Sequence, residues 1–519
     1  MSILQDQRLT MLRGLDAAKT NLERNKLGQF ATPPRVADEV VRYGLSLLPQ
    51  TEIRYLEPGF GTGAFLNNLL EQAGEHIITQ AVGYEVDPHY GVPAAELYAP
   101  NALELRMTDF TEAAPELFDL LLCNPPYVRH HHLAAAKKVA LADAVVQRYG
   151  GTRPSGLTGL YNYFMMLGEA WLSDTGVAAY LVPSEFLDVN YGVVVKHFLL
   201  EQVQLTRVHL FESEQVQFDD ALVSSAVVWY RKGRPTATSR VELSYGGSLL
   251  TPTHSRTIAH SDLDPATKWT RDIRNGARDV DVAAAVPAMG PRPVLKDFFD
   301  VKRGLATGDN SFFVLTAEQV RQHGLPAAVL TPVMPSPRYV KSDIIHGDAA
   351  GYPLNVKQLF LLNCRQGPEE LATQQPQAWA YLQTGIGTVS KKYLCNSRKL
   401  WYLQEAREPA PILCTYMGRG GKDGGPFRFI LNESKAVATN SFLMLYPKAF
   451  WRNRARQHPK LLAQVWEALS AITTADLVNE GRTYGGGLEK IEPSELGNVP
   501  VGALAELLQS AQPLVLNLV

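Results

Sequence analysis

The 519-residue chain contains little cysteine and no long run of apolar residues. Its four cysteines (Cys123, Cys364, Cys395 and Cys414) lie far apart and form no Cys-x-x-Cys pair, which argues against a disulfide framework or a zinc site. No segment approaches the roughly 18 consecutive apolar residues of a membrane helix. The first residues lack the basic flank and the apolar run of a secretory signal. These absences predict a soluble protein of the reducing cytoplasm, with no membrane partner.

The net charge of −2 is also small, but the charges are distributed unevenly. Residues 1–239 contain 19 Lys and Arg against 27 Asp and Glu, a balance of −8, whereas residues 240–519 contain 31 against 25, a balance of +6. A chain of this length is expected to form two or three domains. A basic second half beside an acidic first half fits a nucleic-acid-binding domain attached to a catalytic one, although neighbouring domains without a ligand also differ this much.

Short apolar segments alternate with amphipathic segments between about residues 53 and 230. The apolar segments are typical of buried strands and the amphipathic ones of helices. This alternation predicts an α/β fold with a doubly wound, mostly parallel sheet, whose ligands bind at the carboxyl ends of the strands. The predicted strands are IRYLEP, AVGYEV, DLLLCNPP, GVAAYLVP and SSAVVWY, and FLNNLLEQA and YFMMLGEAWL are predicted helices.

The sequence changes character after about residue 232. KGRPTATSR is a polar candidate linker, and the following residues are less periodic and richer in Gly, Pro and aromatic side chains. Helical patterns return only near LLAQVWEALSAI and ALAELLQSA. We therefore predict a second domain of mixed α+β structure over residues 240–519, after a first domain over residues 1–239.

A glycine-rich turn, Glu57-Pro-Gly-Phe-Gly-Thr-Gly63, follows the first predicted strand and precedes a helix that begins near Phe65. Glycines at such a turn let a ligand approach the backbone closely. Glu85 follows Gly63 by 22 residues and ends the second predicted strand, where it is suited to accept hydrogen bonds from ribose hydroxyls. The same spacing serves nicotinamide cofactors, so these two motifs leave the identity of the cofactor open.

The segment from Asp119 to Tyr127 reads as a buried strand that ends in Asn-Pro-Pro-Tyr. Prolines cannot continue a sheet ladder, and they stiffen the backbone just beyond the strand. The Asn124 side-chain oxygen and the Pro125 carbonyl are then two acceptors that point the same way, beside the ring of Tyr127. Two acceptors and a flat apolar face suit a planar group that bears an NH₂. Prolines alone would end the strand, so the flanking Asn and Tyr favour a functional role.

With these motifs the chain resembles the N6-adenine DNA methyltransferases of bacterial restriction–modification systems, in the gamma arrangement. In that arrangement the cofactor motif precedes the catalytic motif and the recognition domain is C-terminal. The resemblance covers nearly the whole chain and includes the N-terminal motif GQFATPP. It implies a Rossmann-like methyltransferase domain over residues 1–239 and a DNA-recognition domain over residues 240–519. It also implies S-adenosylmethionine as cofactor and double-stranded DNA of a specific sequence as partner.

The resemblance also implies a role for individual residues. Thr32 is expected near the methionine part of the cofactor, and Asp109 and Phe110 resemble the pair that reads the adenine amine and packs on its ring. Phe218 precedes a segment, DDALVSSAVVWY, similar to the one that follows the family's base-stacking aromatic, although Phe211 lies nearby. The expected cofactor-binding residues are Thr32, Glu57, Gly59, Gly61, Glu85, Asp109 and Phe110, and the expected catalytic residues are Asn124, Pro125, Pro126, Tyr127 and Phe218.

The implied reaction is direct methyl transfer to an adenine that has been flipped out of the duplex. Hydrogen bonds from the adenine amine to Asn124 and Pro125 would favour a more tetrahedral nitrogen as charge develops, with Tyr127 and Phe218 stacking on the base. No metal is required for this chemistry. Arg129-His-His-His132 does not change that expectation, because consecutive side chains diverge and favour a polar loop over a metal site.

Four alternatives compete with this interpretation. A protein-glutamine methyltransferase acting on release factors shares Asn-Pro-Pro-Tyr, but that family lacks GQFATPP and the long C-terminal half. An N4-cytosine methyltransferase more often has Ser at the position of Asn124. A catalytically silent DNA-binding subunit conflicts with the intact set of motif residues. A fused nuclease has too little sequence before Gly28, so any cognate restriction endonuclease is expected on a separate chain, and the sequence leaves open whether such a partner exists.

Overall fold

The computed structural model describes residues 2–101, 103–212, 224–275, 293–420, 425–452, 459–484 and 486–510. The chain forms two compact units. The first consists of Met1–Val286 together with Tyr484–Gly486, and the second consists of Pro287–Thr483 together with Gly487–Val519.

A nine-stranded sheet lies at the centre of the first unit. Its strands are β1 (Glu52–Pro58), β2 (Ile77–Tyr84), β3 (Leu103–Arg106), β4 (Phe118–Cys123), β5 (Leu172–Pro183), β6 (Gln204–Leu210), β7 (Ser225–Arg231), β8 (Arg240–Gly247) and β9 (Pro252–Ala259). They are arranged in the order β3-β2-β1-β4-β5-β7-β6-β8-β9. The first five strands are parallel, and β7 is inserted antiparallel between β5 and β6. The predicted α/β fold with a mostly parallel sheet is confirmed.

Helices precede and connect these strands. α3 and α4 pack against each other, and α3 also contacts β4 and β5. The side chains that face the sheet form one continuous apolar core that includes Trp171 and Trp229. The helices are α1 (Ile3–Ala17), α2 (Asn21–Leu27), α3 (Pro34–Ser46), α4 (Ala64–Gln72), α5 (Pro88–Tyr98), α6 (Ala135–Tyr149), α7 (Leu160–Leu167), α8 (Gly192–Glu201) and α9 (Trp269–Asn275).

The strand order reverses between β1 and β4, and this reversal positions the site. Both strands are buried over most of their length, and β4 accordingly carries an almost continuous apolar sequence. They pair in parallel, with Tyr55 opposite Leu120 and Leu56 opposite Leu121. Their carboxyl ends therefore lie side by side, and the connections that leave them diverge. A crevice at such a switch point is where sheets of this type bind ligands.

The first unit extends to Val286, whereas the sequence predicts that the first domain ends at residue 239 and the second begins at residue 240. β8 pairs in parallel with β6, and β9 pairs with β8, so residues 240–259 extend the first sheet. The polar segment KGRPTATSR belongs to the connection between β7 and β8, not to a linker between domains. Residues 240–286 contain six basic and six acidic side chains, so a boundary at residue 286 leaves the two charge balances at −8 and +6.

The second unit has mixed α+β structure, as predicted. A five-stranded sheet has the order Phe299–Arg303, Phe442–Pro447, Ile412–Thr415, Phe429–Asn432 and Ile344–Ile345. A four-stranded sheet consists of Val314–Thr316, Leu359–Leu362, Leu330–Met334 and Val437–Ala438, and a three-stranded one of Met417–Arg419, Leu488–Lys490 and Arg482–Tyr484. The helices are Leu295–Phe298, Asn310–Phe313, Ala317–Gln322, Pro368–Gln374, Pro376–Gln383, Tyr393–Asn396, Pro459–Ser470, Thr474–Glu480, Pro493–Gly497 and Gly502–Ser510.

No single helix in the described ranges is both long and apolar enough to cross a membrane. The helical segments Lys460–Ser470 and Thr474–Glu480 are long and apolar enough only when taken together, and they are bent by 78° relative to each other. All four cysteines are buried and carry free thiols.

Candidate active site

A cavity of about 620 Å³ lies in the first unit, at the carboxyl ends of β1, β2 and β4. α1 and the residues between Lys26 and Thr32 supply one wall, and the glycine-rich turn after β1 supplies another. Among the predicted site residues, those that line the cavity are Thr32, Glu57, Gly59, Gly61, Glu85, Phe110, Asn124 and Pro126. Residues from separate motifs of the sequence are thus brought to one place.

Asn124 lines the cavity with its orientation fixed by the N-terminal motif. Its Nδ2 donates to the Phe30 carbonyl oxygen at 2.8 Å and to Thr32 Oγ1 at 3.0 Å. A carbonyl oxygen can only accept a hydrogen bond, so the amide nitrogen has to face Phe30 and the amide oxygen has to face the other way. That oxygen, Oδ1, is buried and has no hydrogen-bond partner. Most buried polar atoms are paired, so this acceptor is available to a donor on a ligand.

The backbones of the two motifs are in direct contact. The Tyr127 N–H donates to the Gly28 carbonyl oxygen at 3.0 Å. Gly28 has a φ of +66°, and a Cβ there would lie 2.3 Å from the Tyr127 nitrogen, so only glycine fits this position. Thr32, which receives the Asn124 hydrogen bond, is itself buried. The GQFATPP motif therefore serves to hold the Asn-Pro-Pro-Tyr segment in place.

The Tyr127 side chain is more enclosed than the sequence suggests. Its ring is buried near Phe30 and Tyr161, with centroid distances of 5.5 and 6.3 Å. Its hydroxyl donates to the Leu181 carbonyl oxygen at 3.0 Å. Neither Tyr127 nor the buried Pro125 is among the residues that line the cavity. The ring of Tyr127 is therefore packed in the core in this structure, and its role in stacking on the target base stays a prediction.

The glycine-rich turn requires backbone conformations that other residues rarely adopt. Gly59, Gly61 and Gly63 have φ angles of +69°, +54° and +71°. A Cβ at Gly63 would lie 2.6 Å from the Phe60 ring, and one at Gly59 would lie 3.4 Å from the Asn124 carbonyl oxygen. The turn is thus packed against the Asn-Pro-Pro-Tyr segment, with its backbone open to the cavity.

Glu85 connects the turn to the end of β2. Its Oε2 accepts a hydrogen bond from the Gly61 N–H at 2.8 Å, and its Oε1 accepts from the Val86 and Asp87 N–H groups, both at 2.9 Å. Burial raises the pKa of Glu85, although these three N–H groups stabilise the charged form. Each carboxylate oxygen has two lone pairs, so Oε2 retains the capacity to accept from a ligand hydroxyl.

Glu57 also lines the cavity, but its carboxylate is occupied by the protein. Oε2 accepts from the Tyr55 hydroxyl at 2.7 Å and from the Leu66 N–H at 2.9 Å, and Oε1 accepts from the Phe65 N–H at 3.3 Å. The carboxylate therefore satisfies backbone donors at the start of α4, where helices leave N–H groups without a partner. Burial raises the pKa of Glu57 to about 7, against the lowering effect of these hydrogen bonds.

The Asp109 and Phe110 side chains separate in the structure. Asp109 Oδ1 accepts from Thr111, and its Oδ2 forms an ion pair with Lys137 at 2.8 Å. Burial raises the pKa of Asp109, but the hydrogen bonds from Lys137 and Thr111 outweigh it and hold the pKa below its usual value. Asp109 is not among the residues that line the cavity, whereas Phe110 is. The ring of Phe110 packs near Trp171 at a centroid distance of 4.9 Å.

Comparison with known proteins identifies the family. The family model described as Eco57I restriction-modification methylase matches residues 67–217, and the one described as Type II methyltransferase M.Eco57I, C-terminal domain, matches residues 266–517. The Type II methyltransferase M.AccI of Acinetobacter calcoaceticus is 25% identical over 95% of this chain and 89% of its own length. The chain belongs to the restriction–modification DNA methyltransferases.

Two further similarities extend over most of this methyltransferase. The Type II methyltransferase M.XamI of Xanthomonas campestris pv. amaranthicola is 26% identical over 88% of this chain and 81% of its own length. The solved structure of the Type IIL restriction-modification enzyme MmeI in complex with DNA aligns with 96% of this chain and 67% of that one, at 14% identity and a TM-score of 0.49.

The N-terminal helix of the methyltransferase also contributes to the cavity, although it carries none of the recognised sequence motifs. Arg8, Asp16 and Lys19, which precede every motif considered, all line the cavity. Lys19 pairs with Asp87, and Gln29 Nε2 donates to the same carboxylate at 2.6 Å, so the N-terminal segment is attached to the loop after β2. Asp87 also caps α5, accepting from the His89 N–H at 3.0 Å, as its position in the sequence suggests.

Two features of the sequence remain outside this methyltransferase site. Phe218, the predicted base-stacking aromatic, lies outside the described residues. Phe211, its neighbour in the sequence, is buried beside His209. The residues His130–His132 form a 3₁₀ turn, and the described part of the chain contains no group of three or more His, Cys, Asp or Glu placed to hold a metal ion.

Proposed function

We propose that this methyltransferase transfers the methyl group of S-adenosylmethionine to N6 of adenine within a specific sequence of double-stranded DNA. The observation that carries the proposal is the buried Oδ1 of Asn124, an oriented acceptor without a partner at the edge of the cavity. An exocyclic amine supplies the N–H donor that this atom lacks. A buried acceptor left unpaired is costly, so a group that satisfies it is favoured at this position.

The residues around the cavity fit S-adenosylmethionine. Glu85 has spare acceptor capacity for ribose hydroxyls, the turn from Gly59 to Gly63 opens its backbone to the ligand, and Phe110 presents an apolar ring to an adenine. When bound, the cofactor supplies an electrophilic methyl group on a sulfonium. Asp109 is already paired with Lys137. Whether Asp109 also binds the amine of the cofactor's adenine is therefore tested by a separate variant.

The contribution of the protein to the reaction is orientation and hydrogen bonding. Asn124 Oδ1 accepts a hydrogen bond from the target amine, and that bond strengthens as charge develops on the nitrogen. Phe30 and Thr32 hold the amide so that its oxygen needs no reorientation during the reaction. The Pro125 carbonyl is the second acceptor in this proposal. The target base has to leave the duplex to reach Asn124, because N6 is inaccessible to such a pocket inside DNA.

The experiment is product analysis on double-stranded DNA incubated with S-adenosylmethionine and the purified protein. Enzymatic digestion to nucleosides followed by mass spectrometry should show N6-methyladenine, and the Asn124→Ala variant should form it at a rate lower by about 100-fold or more. N4-methylcytosine as the product would overturn the adenine assignment. A parallel incubation with a release factor tests the glutamine alternative, and methylation of that protein in place of DNA would overturn the proposal as a whole.

Recognition of the DNA sequence is proposed to lie mainly in residues 287–519, which replaces the predicted start at residue 240. This unit carries the charge balance of +6, which favours contact with phosphates. Exchanging residues 287–519 between relatives of different specificity should transfer the methylated sequence with the exchanged segment. Long-read sequencing that detects modified bases would show this, and specificity that stayed with residues 1–286 would contradict the assignment.

We also propose that a cognate restriction endonuclease, on a separate chain, recognises the DNA sequence that this protein methylates. Both proteins would act in the cytoplasm. DNA from cells that express the methyltransferase should then resist a nuclease that recognises the same sequence, whereas DNA from cells expressing Asn124→Ala should be cut. If the nuclease cut both DNAs to the same extent, the methyltransferase would not protect the sequence that this nuclease recognises, and the two proteins would not form a restriction–modification pair.

A further inference from the structure

Arg8 is a buried cation with an unused donor at the wall of the cavity. It lies on α1, is only 1% exposed and lines the cavity. Its Nε donates to Gln5 Oε1 at 2.9 Å, and its Nη1 donates to Thr62 Oγ1 at 3.3 Å. The remaining nitrogen, Nη2, is buried without a hydrogen-bond partner. Two of the three guanidinium nitrogens are thus fixed by the protein, and the third is left for something else.

The neighbouring carboxylates do not neutralise this cation directly. None of the ion pairs found in the described residues includes Arg8. Glu57 and Glu71 interact with it electrostatically, but both are held by other donors. Glu57 accepts from Tyr55 and from the start of α4, and Glu71 accepts from Asn67 Nδ2 at 3.0 Å. Buried charges are rarely left without a partner of opposite sign, so the site fits an anion.

Arg8 differs in this respect from the other cationic side chains around the cavity. Lys19 forms an ion pair with Asp87, and Lys26 is exposed to solvent. Arg8 instead contacts Thr62 within the glycine-rich turn, where the cavity wall is backbone and leaves room for a ligand. A guanidinium held at this turn is suited to a carboxylate, which can accept from two of its N–H groups.

We propose that Arg8 binds the carboxylate of the methionine part of S-adenosylmethionine. The inference rests on the proposed cofactor, whose carboxylate is its only anionic group. Glu85 and Phe110 are assigned to the adenosine part. Thr32 is expected near the methionine part but carries no charge, so Arg8 Nη2 supplies the missing cationic donor for the carboxylate. Arg8 is thereby a cofactor-binding residue that precedes all the recognised motifs of the chain.

The test compares ligands with and without the carboxylate by calorimetric titration. S-adenosylhomocysteine carries the carboxylate, whereas 5′-methylthioadenosine lacks the amino-acid part and decarboxylated S-adenosylmethionine lacks the carboxylate alone. Arg8→Met should weaken binding of S-adenosylhomocysteine about 10- to 100-fold, the range expected for loss of a charge-assisted hydrogen bond. The same variant should bind the other two ligands as the wild type does.

Arg13→Met is the matched control, because Arg13 is exposed on the same helix. It should bind all three ligands normally. If Arg8→Met does not fold, Arg8→Gln removes the charge but keeps a polar head, and it should show the same selective loss. Equal weakening of all three ligands, or no weakening, would overturn the assignment of Arg8. Failure of the wild type to bind S-adenosylhomocysteine would instead overturn the proposed cofactor, and with it this inference.

Discussion

The loops that follow β3 and β4 use their polar side chains in opposite ways. After β4, Asn124 donates both of its amide hydrogen bonds to the N-terminal motif and keeps its oxygen without a partner. After β3, Asp109 has both of its oxygens occupied, one by Thr111 and the other by Lys137. Both residues stand at a strand end and both were predicted to bind a ligand. Only the first has a side-chain atom without any hydrogen-bond partner, and only the first lines the cavity.

The difference shows what a polar residue at a strand end needs in order to bind a ligand. Glu57 resembles Asp109, since its oxygens accept from Tyr55 and from the start of α4. Glu85 is intermediate, because it supports the glycine-rich turn through Gly61 but also lines the cavity, where its Oε2 can accept a further hydrogen bond. The predicted site residues therefore divide into those that hold the cavity in shape and those that can bind what enters it.

The largest effect is expected at Asn124. Asn124→Ala removes the unpaired acceptor, so the rate of methyl transfer should fall by about 100-fold or more, as for the loss of an oriented group that acts in the transition state. The affinity for S-adenosylhomocysteine and for specific DNA should change little. Single-turnover methylation measures the rate of methyl transfer, and calorimetry measures the affinities. Asn101→Ala, at an exposed position, serves as control. Near-normal turnover in Asn124→Ala would mean that the Asn-Pro-Pro-Tyr segment only ends the strand.

A smaller effect, on binding and not on chemistry alone, is expected at Glu85. Glu85→Ala leaves the ribose hydroxyls and the Gly61 N–H without their acceptor, so the Kd for S-adenosylhomocysteine should rise about 10- to 100-fold. Calorimetric titration gives the value directly. Glu75→Ala, at an exposed position before β2, should bind the ligand normally. An unchanged Kd in Glu85→Ala would place Glu85 with Glu57 among the residues that only shape the cavity.

Glu57 should reveal its structural role through the pH dependence of stability. Burial raises its pKa from an ordinary value of 4.5 to about 7, so the folded protein keeps a proton that the unfolded chain releases. The stability from this group is present below about pH 4.5 and is lost as pH rises through 7. Relative to Glu57→Gln, the wild type should lose on the order of 3 kcal/mol of unfolding free energy over that range. Urea denaturation of both proteins at several pH values tests this. If the unfolding free energies of the wild type and of Glu57→Gln changed equally with pH, the prediction would be contradicted.

The smallest effect is expected at Asp109. Its ion pair with Lys137 is partly exposed, so a double-mutant cycle with Asp109→Asn and Lys137→Met should give a coupling of about 0.5–1 kcal/mol in the free energy of unfolding. The affinity of Asp109→Asn for S-adenosylhomocysteine should stay close to that of the wild type. A large loss of affinity without a loss of stability would restore the adenine-reading role that the family resemblance implies.

Sequence periodicity correctly predicted strands of the first unit, but it did not predict where that unit ends along the chain. The segments IRYLEP and DLLLCNPP are strands in the structure, β1 and β4, because β4 carries an almost continuous apolar sequence and β1 buries its apolar residues Ile53, Tyr55 and Leu56. The composition of KGRPTATSR predicts a linker between domains, yet the segment connects two strands of one sheet. A polar loop has the same composition within a domain as between domains, so the sequence could not distinguish the two.

The N-terminal helix shows the same limit for the site. Arg8 carries no recognisable motif, and it is 54 residues away in sequence from Thr62, with which it forms a hydrogen bond. No local pattern predicts that pairing, since it arises from the packing of α1 beside the glycine-rich turn. The carboxylate of Asp109 is a parallel case, because Lys137 lies 28 residues further along the chain.

The sequence by itself determined five strands of the first unit, the resemblance to the family and most of the predicted residues that line the cavity at the reversal of strand order. Apolar periodicity indicates the strands, and the glycine-rich turn and the Asn-Pro-Pro-Tyr motif carry the resemblance, because each of these is a local property of the chain. The tertiary structure alone decided which polar atoms remain unpartnered, at Asn124 Oδ1 and Arg8 Nη2, and which are already paired, at Glu57 and Asp109. Hydrogen-bond satisfaction depends on neighbours that are distant in sequence, and only folding brings those neighbours together.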